Sequence, residues 1–148
     1  VQALLALKYR PDRRLAEVMG GWLWELLARE GWNPSIIVPV PLSVRRRQQR
    51  GFNQAELLAE ALARRASIRM RASGLKRVRE TRSQVGLDRW ERWQNVNAAF
   101  EVPRNDLRGE AVLLVDDLTT TGATLSSCAA ALHAAGARQV WGLTVGRA

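Results

Sequence analysis

Residues Val112–Thr124 read VLLVDDLTTTGAT, and few folds accommodate such a segment. Ala111–Val115 is a continuous apolar run, as expected of a central strand covered on both faces. It ends at Asp116 and Asp117. A loop of small and hydroxyl-bearing residues follows, and Gly122–Ala135 has strong helical character. A strand, a short loop and a helix in this order bring backbone N–H groups at a helix N-terminus beside the hydroxyls of Thr119, Thr120, Thr121 and Thr124. That arrangement suits a phosphate monoester. Gly122 allows close approach because it has no Cβ. Two adjacent carboxylates repel a phosphate, so they are expected to face another part of the ligand. Vicinal ribose hydroxyls fit, because carboxylates accept hydrogen bonds from them. Helix capping with a solvated acidic turn is the simpler alternative, but a cap accounts for one Thr or Asp and not for the whole string.

The rest of the chain supplies a framework for this unit. Its 148 residues suit one domain, residues 1–148, with no internal repeat or linker. Leu15, Val18, Met19, Trp22, Leu23, Leu26 and Leu27 recur at helical spacing and predict a helix over Arg13–Arg29 with one buried stripe. Gly20–Gly21 within it marks either close packing or a break, and Gly31 and Pro34 end it. Ile36–Val38 reads as a short buried strand running into Pro39 and Pro41. Arg45–Arg47 form a basic cluster in the following loop. Gly51–Phe52–Asn53 start a second helix with Leu57, Leu58, Ala61 and Leu62 on its apolar face. A strand is expected within Ile68–Leu75, an exposed basic loop after it, a helix over Leu87–Val96, and strands over Ala98–Val102 and Val140–Val145. Arg104–Glu110 reads as a turn, and Gly136 ends the last helix with positive φ. Alternating strands and helices predict an α/β protein with a mostly parallel sheet and ligand loops at the strand C-terminal ends.

Composition excludes several classes. Apolar residues make up 47% of the chain and charged residues 25%, a balance at odds with disorder. The longest apolar runs are too short to cross a bilayer, and no signal peptide is evident, so a cytoplasmic protein without membrane insertion is expected. Cys128 is the single cysteine, so neither an intrachain disulfide nor a cysteine-built zinc site is available. It reads as a buried small hydrophobe, and His133, alone in an Ala-rich helix, as packing or surface. No Gly-rich run ends in Gly–Lys–Ser/Thr, which excludes a Walker-type site. The net charge is +9, with 23 basic residues against 14 acidic. That charge attracts anions, from phosphorylated metabolites to nucleic acid, without choosing between them.

The apolar–Asp–Asp–hydroxyl–Thr–Gly–x–Thr string resembles the signature of type I phosphoribosyltransferases. Further matches narrow the family. Leu7–Lys8–Tyr9 is one. Val38–Pro39–Val40–Pro41–Leu42, Arg47 and Arg50–Gly51–Phe52–Asn53–Gln54–Ala55–Glu56–Leu57–Leu58 form a second. Arg79, Thr81, Gln84, Leu87, Arg92, Asn95, Val96, Ala99 and Phe100 form a third. Together they resemble the ComF family, competence-associated proteins related to amidophosphoribosyltransferases. Many ComF-like proteins carry a four-cysteine zinc module before this domain. Here no cysteine precedes Cys128, so the sequence is expected to represent the phosphoribosyltransferase-type domain alone.

The resemblance implies a type I phosphoribosyltransferase-like α/β fold, a mostly parallel sheet flanked by helices, with a mobile hood loop. It implies that Asp116 and Asp117 hold the ribose hydroxyls of 5-phosphoribosyl 1-pyrophosphate and act in catalysis. Leu118, Thr119, Thr120, Thr121, Gly122, Ala123 and Thr124 would wrap the 5-phosphate. It also implies magnesium, held mainly through ligand oxygens, in keeping with that ion's preference for oxygen ligands. Fold analogy makes Arg45, Arg46, Arg47 and Arg50 candidates for the pyrophosphate, through charge-assisted hydrogen bonds, although an arginine run is often only a solvated face. Arg77–Gln84 matches the position of the hood in related enzymes, with Arg79, Thr81, Arg82 and Gln84 as the hood candidates. Asn53 and Gln54 either orient the nucleophile or a water, or cap the following helix. Trp90 and Trp93 suit packing or a subunit contact better than base stacking. The activity implied is transfer of the phosphoribosyl group to an unidentified nitrogenous acceptor. The alternative is a non-catalytic or weakly catalytic competence protein acting in single-stranded DNA uptake or processing. Its expected partners are single-stranded DNA and competence-machinery proteins, and fold analogy adds a second copy of the chain.

Overall fold

The computed structural model describes residues 11–79, 99–104 and 106–147. Thr81, Arg82, Gln84, the expected helix Leu87–Val96 with Trp90 and Trp93, and the Leu7–Lys8–Tyr9 match lie outside them. The described elements are α1 (Arg13–Glu30), β1 (Ile36–Pro39), α2 (Val44–Arg50), α3 (Gln54–Ala66), β2 (Arg69–Met70), β3 (Lys76–Arg77), β4 (Phe100–Glu101), β5 (Ala111–Thr119), α4 (Ala123–Ala134) and β6 (Gln139–Arg147).

Four strands form one parallel sheet in the order β2–β1–β5–β6. β1 and β5 form its centre, with Ile36 opposite Val112 and Pro39 opposite Val115. Strand alternation divides their side chains between two cores. Ile37, Leu113 and Val115 face Met19, Leu23, Leu58 and Leu62 from α1 and α3. Ile36, Val38, Val112 and Leu114 face Cys128 and Leu132 from α4. The result is a helix–sheet–helix sandwich, as expected of an α/β chain.

The order of the strands also determines where a ligand can enter. From β1 the chain travels through α2 and α3 to β2 on one side. From β5 it travels through α4 to β6 on the other. The loops leaving β1 and β5 therefore diverge, and a crevice opens between them at the strand C-termini.

Several elements depart from the sequence expectations. α1 forms without a break, but its buried stripe is narrower: Ala16, Met19, Gly20, Leu23 and Leu27 are buried. Val18, Trp22 and Leu26 are exposed, because α1 packs against α3 and the sheet on its opposite face. Gly20 serves close packing of α1 on α3, since a Cβ there would lie 2.5 Å from the Cβ of Ala61. Arg45–Arg47 belong to the short helix α2, not a loop, and the next helix starts at Gln54, with Gly51 at φ 76° closing α2. The expected strand Ile68–Leu75 is interrupted. Arg71 donates its N–H to the Ile37 carbonyl at 2.9 Å, and the chain then turns back at Gly74. Gly74 lies so close to Val38 that a Cβ would fall 2.9 Å from a Val38 methyl. Beyond the turn, β3 joins β4 in a separate antiparallel pair. β5 continues past the acids to Thr119, so Leu118 and Thr119 are strand residues opposite Gly146 and Arg147. Pairing with the long β6 supplies partners for their backbone groups.

Candidate functional site

The crevice between the β1 and β5 loops is a cavity of about 430 Å³. Val40, Pro41 and Leu42 form its β1 edge, and Asp116, Asp117, Leu118, Thr120 and Thr124 its β5 edge. Arg46, Arg50, Asn53, Gln54, Ala55 and Arg77 complete it. A neighbouring hollow of about 440 Å³ shares Pro41, Leu42, Asn53 and Arg77 with it, but neither aspartate and no threonine lines that hollow. The chemistry is therefore concentrated in the first cavity.

Asp116 and Asp117 end the buried part of β5. An oxygen of Asp116 accepts the N–H of Asp117 at 2.8 Å, and an oxygen of Asp117 accepts the N–H of Leu118 at 2.8 Å. These local bonds orient both carboxylates and leave further lone pairs for a ligand. Burial, reinforced by the adjacent Asp117 charge, pushes the Asp116 carboxyl up from the ordinary 3.8 to about 7. Arg77 acts in the opposite direction.

After Thr119 the chain turns through Thr120, Thr121 and Gly122 into α4. Gly122 is the N-cap at φ 80°, a conformation that β-carbon-bearing residues rarely adopt. An added Cβ would meet nothing within 4 Å, so the dihedral angle is what requires glycine. The Thr121 hydroxyl accepts the N–H of Ala123 at 3.3 Å, and no side chain of Gly122 can cap the helix. The positive end of α4 thus points toward the loop that closes one side of the cavity.

The arginine cluster is sorted by helix geometry. Arg46 and Arg50 are four residues apart on α2, hence on one face, and both line the cavity. Arg47 turns away, lines the neighbouring hollow and pairs with Glu56 at 3.2 Å. Arg45 is exposed and lines neither. Arg79 lines neither cavity, and its carbonyl accepts the Nε–H of Arg77 at 3.3 Å.

Arg77 is the cavity residue missing from the sequence candidates. It projects from β3, lies 5.5 Å from the Phe100 ring centroid and lines both hollows. It opens the segment Arg77–Gln84 that the resemblance matches to the hood, but within the strongly basic stretch from Arg64 to Arg82 it is not itself a named ligand candidate. Its selection comes from the β3–β4 pairing, which is long-range.

Asn53 and Gln54 separate in role. Asn53 accepts the N–H of Ala55 at 3.1 Å as N-cap of α3 and donates to the Val40 carbonyl at 3.0 Å. It therefore ties α3 to the end of β1. Gln54 lines the cavity and has no capping bond. Cys128 is buried, and burial, with a smaller contribution from Asp116, raises its thiol above the usual range. A buried thiol held toward its protonated form suits the packing role expected of it. His133 shares a 3.1 Å hydrogen bond with the Ala137 carbonyl at the end of α4.

Among the described residues no three His, Cys, Asp or Glu side chains cluster as a metal cage. Two adjacent carboxylates in a cavity fit a hard cation that arrives with an oxygen-rich ligand and keeps most of its coordination there. No helix among the described residues is long and apolar enough to cross a membrane.

No protein-family model matches the chain. Competence protein F of Haemophilus influenzae is 42% identical over 114 residues, 74% of this chain and 50% of that protein. DNA utilization protein YhgH of Escherichia coli K12 is 39% identical over 112 residues, 73% of this chain and 48% of that protein. Competence protein ComFC of Bacillus subtilis is 37% identical over 98 residues, 66% of this chain and 38% of that protein. The chain spans about half the length, or less, of these curated relatives. Among solved structures, glutamine phosphoribosylpyrophosphate amidotransferase from B. subtilis superimposes with a TM-score of 0.59 at 21% identity, over 88% of this chain and 26% of that one. Purine phosphoribosyltransferase from Pyrococcus horikoshii gives 0.54 at 16% identity, over 87% of this chain and 70% of that one. At these identities the likeness concerns the fold alone. By its relatives and by its architecture, the chain belongs to the ComF competence-protein family and has a phosphoribosyltransferase-like α/β fold.

Proposed function

We propose that this protein acts in the uptake or processing of single-stranded DNA, in the cytoplasm, and that its β1–β5 cavity binds 5-phosphoribosyl 1-pyrophosphate with magnesium. The DNA role is supported above all by relatives named for competence and DNA utilization that match nearly three quarters of the chain. The net charge of +9 and the exposed Arg45, Arg46 and Arg47 of α2 suit a polyphosphate backbone. The exposed Trp22 and Trp24 belong to α1, not to this basic helix, so the proposed DNA contact is electrostatic in character and not built on base stacking. Competence-machinery proteins are the protein partners this reading implies. The test is fluorescence anisotropy of a labelled single-stranded oligonucleotide. Affinity is expected to fall steeply as salt rises, and an absence of binding at low salt refutes the DNA role.

A second reading, phosphoribosyl transfer, is favoured by the cavity itself. Its β5 edge offers carboxylates suited to ribose hydroxyls, followed by Thr120 and Thr124 for the 5-phosphate. Its α2 wall offers Arg46 and Arg50 for a diphosphate. In a transfer at the anomeric carbon, Asp116 and Asp117 orient the ribose and offset developing positive charge on it. Arg46, Arg50 and Arg77 stabilise negative charge at the departing diphosphate. This is positioning and electrostatic preorganisation without a covalent intermediate. Magnesium, when bound, neutralises part of the diphosphate charge. A nitrogenous base is the acceptor by analogy. Calorimetry with magnesium and 5-phosphoribosyl 1-pyrophosphate tests the site: magnesium-dependent binding that Asp117→Asn weakens is expected, and unchanged affinity in that variant sinks the ribose role.

A further inference from the structure

Gln54 opens α3 and is 2% exposed. It lines the cavity that holds Asp116 and Asp117. Among the described residues, its amide nitrogen is the one buried side-chain polar atom without a hydrogen-bond partner. The contrast with Asn53 is informative. Asn53 is buried to a similar degree, yet both its polar atoms are paired, the oxygen capping α3 and the nitrogen tying it to the chain just past β1. A buried amide left unpaired is unfavourable, and nearly all buried polar groups in folded proteins are satisfied. A methionine of similar length would fill the same volume without that cost. An unpaired donor in the wall of a cavity is accounted for if a ligand completes it.

The surroundings specify what that ligand group is. Gln54 lines the cavity together with Arg46 and Arg50, and it opens α3, whose N-terminal end carries partial positive charge. All of these are donors or positive. The carboxylates on β5 are the acceptors. A donor wall of this kind takes oxyanion oxygens and disfavours hydroxyl-only groups, which the carboxylates take instead.

We infer that Gln54 contacts the ligand directly, its carboxamide N–H donating to an oxygen of the diphosphate end, and so favours diphosphate-bearing ligands over those that lack this group. The inference rests on the 5-phosphoribosyl 1-pyrophosphate reading of the cavity. A neutral donor adds direction to an arginine-rich wall without adding charge.

Calorimetry on the whole chain with magnesium tests this with three probes: 5-phosphoribosyl 1-pyrophosphate, inorganic pyrophosphate and ribose 5-phosphate. Gln54→Met keeps the bulk and removes the donor. It is expected to weaken both diphosphate probes about tenfold and to leave ribose 5-phosphate within about twofold. Gln54→Glu, of nearly the same shape but negative, is expected to weaken the diphosphate probes further. In ligand-free melting, Gln54→Met is expected to unfold at or above the wild-type temperature, because an unsatisfied amide has been removed. Undiminished diphosphate affinity in Gln54→Met overturns the inference. So does an equal loss for ribose 5-phosphate, or a lower melting temperature, which would mark the amide as structural. If the wild-type protein binds none of the three probes, the reading of the cavity falls and Gln54 falls with it. If wild type binds and Gln54→Met binds equally well, only the role of Gln54 is removed.

Discussion

Replacing Asp116 by Asn removes a carboxyl group that the fold holds at a cost. Burial and the neighbouring Asp117 charge raise its pKa from 3.8 to about 7. In the unfolded chain the same group ionises at its ordinary value. Below about pH 4 both states carry the proton and there is no penalty. Between about pH 4 and 7 the unfolded chain loses the proton while the folded chain keeps it, so stability falls as pH rises. Above about pH 7 the folded state ionises too, and the loss levels off. The rise from 3.8 to about 7 corresponds to at most about 4 kcal/mol at the plateau. Asn keeps the shape and cannot ionise, so at pH 8 Asp116→Asn is expected to be more stable than wild type by roughly 2–4 kcal/mol. For a chain of this size that corresponds to roughly 5–15 °C in melting temperature. The assay is urea denaturation at pH 5, 6, 7 and 8 without ligand or magnesium. Wild type should lose stability along the series and the variant should lose much less. Asp106 and Glu110 do not confuse the window. Hydrogen bonding lowers the pKa of both, through Arg71 for Asp106 and through Ser35 for Glu110. Stability from those two is lost only as pH falls through their low folded values. A variant no more stable than wild type at pH 8, or a wild type flat from pH 5 to 7, would refute the account.

Other perturbations probe other parts of the molecule. Gly20→Ala forces a Cβ to within 2.5 Å of that of Ala61 and should cost about 1–3 kcal/mol by separating α1 from α3, measured as a lower urea midpoint. A left-handed conformation at Gly122 makes Gly122→Ala unfavourable by about 1 kcal/mol or more, read by thermal melting, together with weaker binding of phosphate-bearing ligand in calorimetry. Cys128, buried and protonated, should react with a thiol reagent in folded protein at pH 8 far more slowly than after denaturation. Charge reversal at Arg45, which lines neither cavity, should weaken single-stranded DNA binding and reduce its salt dependence, leaving 5-phosphoribosyl 1-pyrophosphate affinity unchanged.

Much of the fold was legible from the chain because its strongest signals are local. The apolar run 111–115 with its acid pair, the helical stretch after Gly122 and the short apolar strand before Pro39 each appear where periodicity and composition put them. The failures occur where tertiary contacts outweigh local preference. Val18, Trp22 and Leu26 fit a helical stripe, yet α3 and the sheet cover only the other face of α1 and they stay exposed. The segment 68–75 reads as a strand, yet close approach to Val38 at Gly74 turns it after two paired residues. Leu118 and Thr119 read as loop, yet β6 is long enough to extend the ladder through them.

By itself, the sequence determined an α/β chain with a parallel sheet and located the acid–hydroxyl turn at the end of its central strand, because strand, loop and helix signals lie within a few residues of one another. Only the tertiary structure decided which basic and polar groups face that turn. Four adjacent-looking arginines of α2 separate into Arg46 and Arg50 in the cavity, Arg47 against Glu56 and Arg45 in solvent. Arg77 enters from a strand paired with a distant part of the chain, and the Gln54 amide nitrogen is left unpaired while that of Asn53 is not. Composition reports how many charges a segment carries. Direction depends on helix phase and on strand order, and the divergence of the chain from β1 and β5 is a property of the assembled sheet.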